Sequence, residues 1–302
     1  MTFGKEADEA ASKAIMDRAL EVGINFFDTA NVYNKGLTEE ILGRWMGEKR
    51  ERIVLASKAY FAIGDDVNDR GSSRRHIFQT VEQSLQRLRT DRLDILYLHH
   101  WDEHTAIEES LSALTQLVQQ GKVLYVGVSN FSAWQIMKAV GVARHKGFAP
   151  VAAVQPMYNL LKRQAEVEIL PMAQSEGLAV FPYSPMGGGY LSGKYQAGKA
   201  GRMDENAMYK SRYGNPVYRE VSDRFVEYAR THGTAPAALA VAWVLAHPAV
   251  TAAIVGARDL DQFNETLASA EIALLAEERE EISALSVAPP PATDRSEETA
   301  MK

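Results

Sequence analysis

NFFDTANVYN, residues 25–34, is the stretch on which the fold turns. Preceded by Ile24, its apolar residues Phe26 and Phe27 are dense enough for a strand buried on both faces, yet the run stops on an acid, Asp28, and a tyrosine, Tyr33, follows five residues later. Strands of that kind belong to parallel sheets covered by helices, and the polar residue at the carboxyl end of such a strand faces the ligand site. Outward from it the same design recurs in RIVLAS (52–57), LDILYL (93–98), VLYVGV (123–128), VAAVQ (151–155), LAVFPY (178–183) and TAAIVG (251–256), with INFF (24–27) the first of the series. Amphipathic stretches of helical length lie before and between them. One of these, EADEAASKAIMDRALEVG, sets Ala11, Ile15, Ala19 and Val22 near one face.

Seven strands alternating with helices predict an α/β fold, either a (β/α)8 TIM barrel or an open doubly wound sheet. The count is one short for the barrel. A helical pattern begins directly after residues 1–4, so a first barrel strand is expected to lie before this sequence or to be supplied in another way. The interval 183–251 is the longest and carries PMGGGYLSGKY, which predicts a loop that covers a ligand.

The sequence of 302 residues is 46% hydrophobic and 24% charged, with a net charge of -6, seven histidines and no cysteine. Without a clustered positive field, nucleic acid is not an expected partner. The absence of cysteine excludes disulfides, thiolate metal sites and a cysteine nucleophile, and suits a reducing, cytoplasmic setting. No apolar stretch reaches the ~18 residues that would suggest a membrane span, and MTFGKEADEA has neither the basic nor the apolar region of a secretion signal. A core domain over 1–287 and a mobile tail over 288–302, APPPATDRSEETAMK, are expected.

The strand ends supply an acid, a base and an imidazole: Asp28 after INFF, Lys58 after RIVLAS, and His99 with His100 after LDILYL. Each taken singly is as well explained as a turn acid, a packing side chain or an ordinary polar residue where a strand emerges. Together they have a chemical logic. A tyrosine, with a reference pKa near ~10, acts as an acid or base at neutral pH only when a neighbour such as an ammonium favours its phenolate. A carboxylate would keep that ammonium charged in a partly buried place. Lys58 would then connect Asp28 to Tyr33, with His99 free to hydrogen-bond a substrate oxygen.

On these residues the sequence resembles the aldo-keto reductase family. DTANVYN is similar to the family's Asp-Thr-Ala-x-x-Tyr motif, VLASKAY to its lysine-bearing strand and DILYLHHWD to its histidine-bearing strand, and GVSNF, AVQPMYN, YSPMGGGYLSGKY and IVGARDLDQFNET follow in family order. The resemblance implies a (β/α)8 barrel whose N-terminal hairpin, first strand and Gly-Thr pair would precede MTFG, and a catalytic tetrad of Asp28, Tyr33, Lys58 and His99. It selects His99, the third residue before Asp102, over His100. It also implies NADPH as the cofactor, with no metal. Ser129, Asn130 and Gln155 would hold the nicotinamide carboxamide and Tyr183 would stack on its ring. Ser184, Pro185, Met186, Gly187, Gly188 and Lys194 would line the pyrophosphate, and Gly256, Arg258, Gln262 and Glu265 the adenosine end. Arg258 opposite the 2′-phosphate would favour NADPH over NADH. Thr266 stands where many relatives have asparagine.

The implied activity is reduction of a small-molecule aldehyde or ketone to an alcohol, with Tyr33 as general acid. Two alternatives stay open: a Schiff-base lyase using Lys58 as nucleophile, and a non-catalytic or redox-sensing cofactor-binding subunit like the potassium-channel β-subunits. For Trp101 two places are open, the wall of a substrate pocket or a packing contact on a helix. Oligomeric state is not read from the sequence.

Overall fold

Strand and helix follow one another through the computed structural model, which describes residues 1–198, 201 and 206–293. The chain divides into two compact units, Met1–Gln155 with Gly256–Phe263, and Pro156–Val255 with Asn264–Lys302.

The first unit holds five parallel strands in chain order, β1 (Phe26–Asp28), β2 (Val54–Ala59), β3 (Leu93–Leu98), β4 (Val123–Ser129) and β5 (Val151–Gln155). In β3, Leu93, Ile95, Leu96, Tyr97 and Leu98 are all buried, so adjacent residues on opposite faces both meet apolar surroundings. That is why LDILYL reads as continuous rather than alternating, whereas β4 leaves Leu124 and Tyr125 exposed near its start. Helices α1 (Glu9–Glu21), α2 (Leu37–Met46), α3 (Arg74–Leu88), α4 (Ile107–Gln119) and α5 (Ala133–Lys146) separate or flank the strands. Asp8 caps α1 by accepting the Ala11 amide at 2.8 Å, and Ser12, Ile15, Met16 and Ala19 form its buried stripe. Ser73 caps α3, which ends on Arg89 in the left-handed region at φ 54°.

Two glycines let neighbouring elements approach. Gly127 of β4 pairs with Tyr97 of β3, and a Cβ there would run into the tyrosine ring. Gly43 brings α2 against the end of α3, where a Cβ would collide with the Arg87 carbonyl oxygen.

In the second unit the described elements are α6 (Ile169–Glu176), β6 (Ala179–Val180), α7 (Ala207–Tyr213), α8 (Pro216–Thr231), α9 (Pro236–Leu245) and α11 (Ala276–Ala284), while α10 (Leu260–Leu267) starts in the first unit. Trp243 of α9 is buried, lies 5.1 Å from the Tyr158 ring and donates its indole N–H to Ser283 Oγ at 3.0 Å. Glu166 accepts from Arg163 Nη2 at 2.8 Å and from the Tyr158 hydroxyl at 2.6 Å, and that hydroxyl accepts from Arg279 Nη2 at 2.8 Å.

Several expected bounds shift. Strand β1 runs through Asp28 and β2 through Ala59, so Asp28 and Lys58 lie within their strands rather than after them. The predicted seventh strand, 251–256, is reduced to a single bridge between Tyr183 and Ile254, and LAVFPY contributes only Ala179–Val180 as strand. Proline explains both. The Thr251 and Ala252 amides reach Val180 O and the Ile254 amide reaches Pro182 O at 2.8 Å, but Pro182 has no N–H to return, so no continuous ladder forms. Residues 288–293 of the expected tail are neither helix nor strand, and 294–302 lie outside the described residues. Among the described residues no helix is long and apolar enough to cross a membrane.

Candidate active site

The carboxyl ends of β1, β2 and β3 bring the four predicted side chains together. Lys58 is buried, with its side chain 0% exposed, and its ammonium donates to Asp28 Oδ1 and, at 2.8 Å, to the Thr29 carbonyl. The Lys58 Nζ also lies 5.1 Å from the centre of the Tyr33 ring. Burial works against its charge, but the Asp28 carboxylate and the neighbouring Tyr33 outweigh it and hold the Lys58 pKa above the ordinary lysine value. Lys58 is therefore an ammonium across the physiological range. The second Asp28 oxygen accepts from Gln155 Nε2 at 2.9 Å, which ties β5 to the same carboxylate.

Tyr33 stands in a turn whose backbone is unusual. Asn34 and Lys35 both lie in the left-handed region, at φ 49° and 55°, followed by Gly36 at φ 92°. A Cβ on Gly36 would lie 2.8 Å from Arg87 Cδ, so the arginine stem packs directly under the turn. Its guanidinium donates from Nε to Glu39 Oε2 at 2.7 Å, and Glu39 Oε1 accepts from the Ser57 hydroxyl at 2.6 Å. Glu39, 0% exposed, thus links the Tyr33 turn to the residue beside Lys58.

His99 follows β3 and makes an edge contact with Tyr33, ring centres 5.9 Å apart. Burial first, then the charges of Lys58 and His100, push its pKa down to about 2, so the imidazole is neutral and carries one N–H. Its Nδ1 is buried without a hydrogen-bond partner among the described residues. His100 is exposed and its Nδ1–H donates to the Trp101 carbonyl at 2.7 Å, which sets it apart from this group. Trp101 packs edge-on against Phe131 and Trp134, at 5.3 and 5.4 Å, beside the start of α5.

Around the four lie the first of the predicted cofactor residues. The Ser129 hydroxyl donates to Gln155 O at 2.9 Å, and Asn130, at φ 58°, donates from Nδ2 to His99 O at 2.9 Å and to Ser129 Oγ at 3.1 Å. Ser129, Asn130 and Gln155 therefore form one polar patch continuous with Asp28 and His99.

Within the second unit, Tyr183 bridges Met157 and Ile254, and its amide donates to Pro156 O at 3.0 Å. The backbone then turns left-handed at Ser184 (φ 58°), Gly187 (55°), Gly188 (68°) and Gly189 (96°), with Pro185 and Met186 between. Asn159 Nδ2 holds the loop by donating to Ser184 O at 2.9 Å. A Cβ on Gly189 would lie 2.7 Å from Lys194 Nζ, so the lysine closes on the glycine loop. Concave backbone of this kind under a lysine is suited to an anion. At the predicted adenosine end, the Arg258 amide donates to Gln262 Oε1 at 3.3 Å and the Arg258 Nε lies 3.4 Å from Glu6 Oε2. Gly256 precedes them, Glu265 is exposed on α10 and Thr266 is buried.

The predicted residues omit four that the structure places here or beneath: Asn31, Glu39, Phe61 and Asp102. The Phe61 ring, 38% exposed, lies edge-on to His99 at 4.9 Å, and its carbonyl accepts from Asn31 Nδ2 at 3.1 Å. Burial works against the charge of Asp102, yet the amides of Ser72 and His104, at 2.7 and 2.9 Å, outweigh it and hold its pKa below the usual carboxylate value. Two of these have a local sequence signal, Phe61 just after KAY and Asp102 as the acid that closes DILYLHHWD; Asn31 and Glu39 have none.

A parallel α/β chain with a buried Lys-Asp pair under a tyrosine and beside a neutral histidine defines the class, and comparison with known proteins agrees. The Aldo/keto reductase family model matches residues 1–287. The chain is 41% identical over 286 residues to "Uncharacterized oxidoreductase YrpG" of Bacillus subtilis, covering 91% of this chain and 86% of that protein. It is 36% identical to "Norsolorinic acid reductase B" of Dothistroma septosporum, covering 94% and 76%. It is 33% identical to "Probable voltage-gated potassium channel subunit beta" of Oryza sativa, covering 90% and 85%. The chain belongs to the aldo/keto reductase family.

Proposed function

We propose that this chain reduces an aldehyde or ketone to an alcohol with NADPH, on the family's (β/α)8 barrel. The observation that carries the reading is the Lys58 ammonium, buried between Asp28 and Tyr33 and held charged. A buried ammonium beside a phenol favours the phenolate, which makes Tyr33 a stronger proton donor than an isolated tyrosine. Asp28 keeps Lys58 ionised while it does so. His99, neutral and with an N–H to give, hydrogen-bonds the carbonyl oxygen and orients it toward Tyr33. When bound, NADPH supplies the hydride that reaches the carbonyl carbon. As negative charge develops on the oxygen, the Tyr33 hydroxyl delivers its proton there and Lys58 stabilises the phenolate left behind.

The residues present fit that cofactor: Ser129, Asn130 and Gln155 offer the amide and hydroxyl groups a carboxamide needs, and the glycine loop with Lys194 suits a pyrophosphate. Arg258 is the residue for the 2′-phosphate. Phe61 gives an apolar wall beside His99, which suits aromatic or aliphatic aldehydes. Lys58 makes a poor Schiff-base nucleophile, since imine formation needs the neutral amine and this one is held as an ammonium.

The test is isotopic. Incubation with NADPH deuterated at the transferring position of the nicotinamide should place deuterium on the carbinol carbon of the product of 4-nitrobenzaldehyde. Product alcohol without deuterium, or no alcohol at all across a panel of carbonyl compounds, would contradict the reading. The rice relative's name favours a second reading, a cofactor-binding subunit with little turnover. Tight NADPH binding with no alcohol formed is the result that would select it.

A further inference from the structure

At the predicted adenosine end, Arg258 faces an acid. Glu6 Oε2 lies 3.4 Å from Arg258 Nε, and the two side chains are 21% and 27% exposed, so the pair is partly withdrawn from solvent and less screened than a surface pair. The backbone under Glu6 is fixed. Thr2 O accepts from the amides of Lys5, Glu6 and Ala7 at 3.2, 3.0 and 3.1 Å, and the Gly4 amide donates to Ala7 O at 2.8 Å. This turn is fastened in its own right: Asn34 Nδ2 donates to Phe3 O at 2.7 Å and to Met1 O at 3.1 Å, and the Thr38 hydroxyl donates to Phe3 O at 2.9 Å. Thr2 Oγ1 would also sit 3.7 Å from a Cβ on Gly256, so the turn runs alongside the residues that precede Arg258. The Glu6 carboxylate is thus presented to the guanidinium from a built turn.

A carboxylate in that place treats the two dinucleotides differently. It repels a 2′-phosphate and holds the guanidinium that would bind it, whereas a ribose 2′-hydroxyl is neutral and can donate to it. We propose that Glu6 is a specificity-determining residue that competes with the 2′-phosphate for Arg258 and so narrows the preference for NADPH over NADH. The inference rests on the reading of Arg258 as the 2′-phosphate partner.

Fluorescence titration of the full chain with NADPH and NADH tests it without turnover. Glu6→Gln should tighten NADPH by about five-fold at low salt, with NADH no tighter, and the gain should shrink as ionic strength rises. Arg258→Ala should lower the NADPH to NADH affinity ratio. If Arg258→Ala lowers the ratio and Glu6→Gln leaves it unchanged or lowers it, the role of Glu6 is overturned while that of Arg258 stands. If neither substitution moves the ratio, both fall. The Glu6 turn is held by backbone, Asn34 and Thr38 contacts that Glu6→Gln leaves in place, and its thermal midpoint, read in parallel, tracks the fold.

Discussion

Lys58 shows what one residue near a strand end must satisfy. Its ammonium is fully buried and is met by Asp28 and the Thr29 carbonyl. Removing one partner of such a pair leaves the other charge buried alone, so Lys58→Met or Asp28→Leu should each lower unfolding free energy in urea by about 3–5 kcal/mol, and the double substitution should cost less than the two singles together. On the proposed reading, Tyr33→Phe removes the proton donor and leaves the proposed cofactor residues in place. It should reduce turnover by about 100-fold or more while NADPH affinity changes by less than about two-fold. Gln155 binds the same carboxylate as Lys58, so Asp28→Asn should disturb both.

His99 gives a pH dependence with a definite sign. Its pKa is pushed down to about 2 in the fold and is near ~6.5 in the unfolded chain. Between those values the unfolded state binds more protons, so stability falls as pH drops below the unfolded value. Burial lowers the pKa of His76 and His247 as well, in the same direction. His99→Gln should therefore flatten part of the acid limb of stability between about pH 6.5 and 4 and leave stability above pH 7 closer to the parent, as measured by urea unfolding across pH. Lys58 adds the opposite limb: its raised pKa contributes stability that is complete below the ordinary lysine value and is lost as pH rises through the folded one.

Among the strands and helices, the sheet was legible where apolar runs are continuous. LDILYL and VAAVQ match β3 and β5 to the residue: their apolar positions are mostly buried, and the polar residue each contains is held by a partner, Asp94 by Arg50 and Gln155 by Asp28. LAVFPY and TAAIVG look the same in sequence but pair only in part, since Pro182 lacks the donor that a ladder needs. What the pattern hides is how closely strands and helices approach. Gly127 reads as a small residue in VLYVGV, yet it makes room for the Tyr97 ring, which lies 5.9 Å from Lys58 Nζ. Gly127→Ala should cost about 1–3 kcal/mol in urea unfolding through overpacking, with turnover falling more than NADPH affinity. A variant as stable as the parent would show that Tyr97 moves aside freely.

Over the chain as a whole, the candidate chemistry was legible and its support was not. Asp28, Lys58 and His99 stand out because each ends an apolar run, and Tyr33 because it follows one within a few residues. Glu39, Asn31 and Glu6 carry no such mark: each is an ordinary polar residue until folding sets it beside Ser57 and Arg87, Phe61, or Arg258, partners distant in the sequence. Burial of an acid such as Glu39 is a property of tertiary packing, and periodicity records only which face a residue occupies. The glycine loop was visible as PMGGG, but its run of left-handed residues beginning at Ser184 was not, because a non-glycine there gives no signal of its own.

Whether Tyr33 supplies the proton in an NADPH-dependent carbonyl reduction is decided by the consumption of NADPH with 4-nitrobenzaldehyde, followed for the parent chain and for Tyr33→Phe, each saturated with cofactor. Steady turnover is expected of the parent, and a loss of about 100-fold or more of the variant at unchanged NADPH affinity. Turnover retained in Tyr33→Phe, or its absence in a parent that binds NADPH tightly, would show that Tyr33 is not the proton donor of such a reaction.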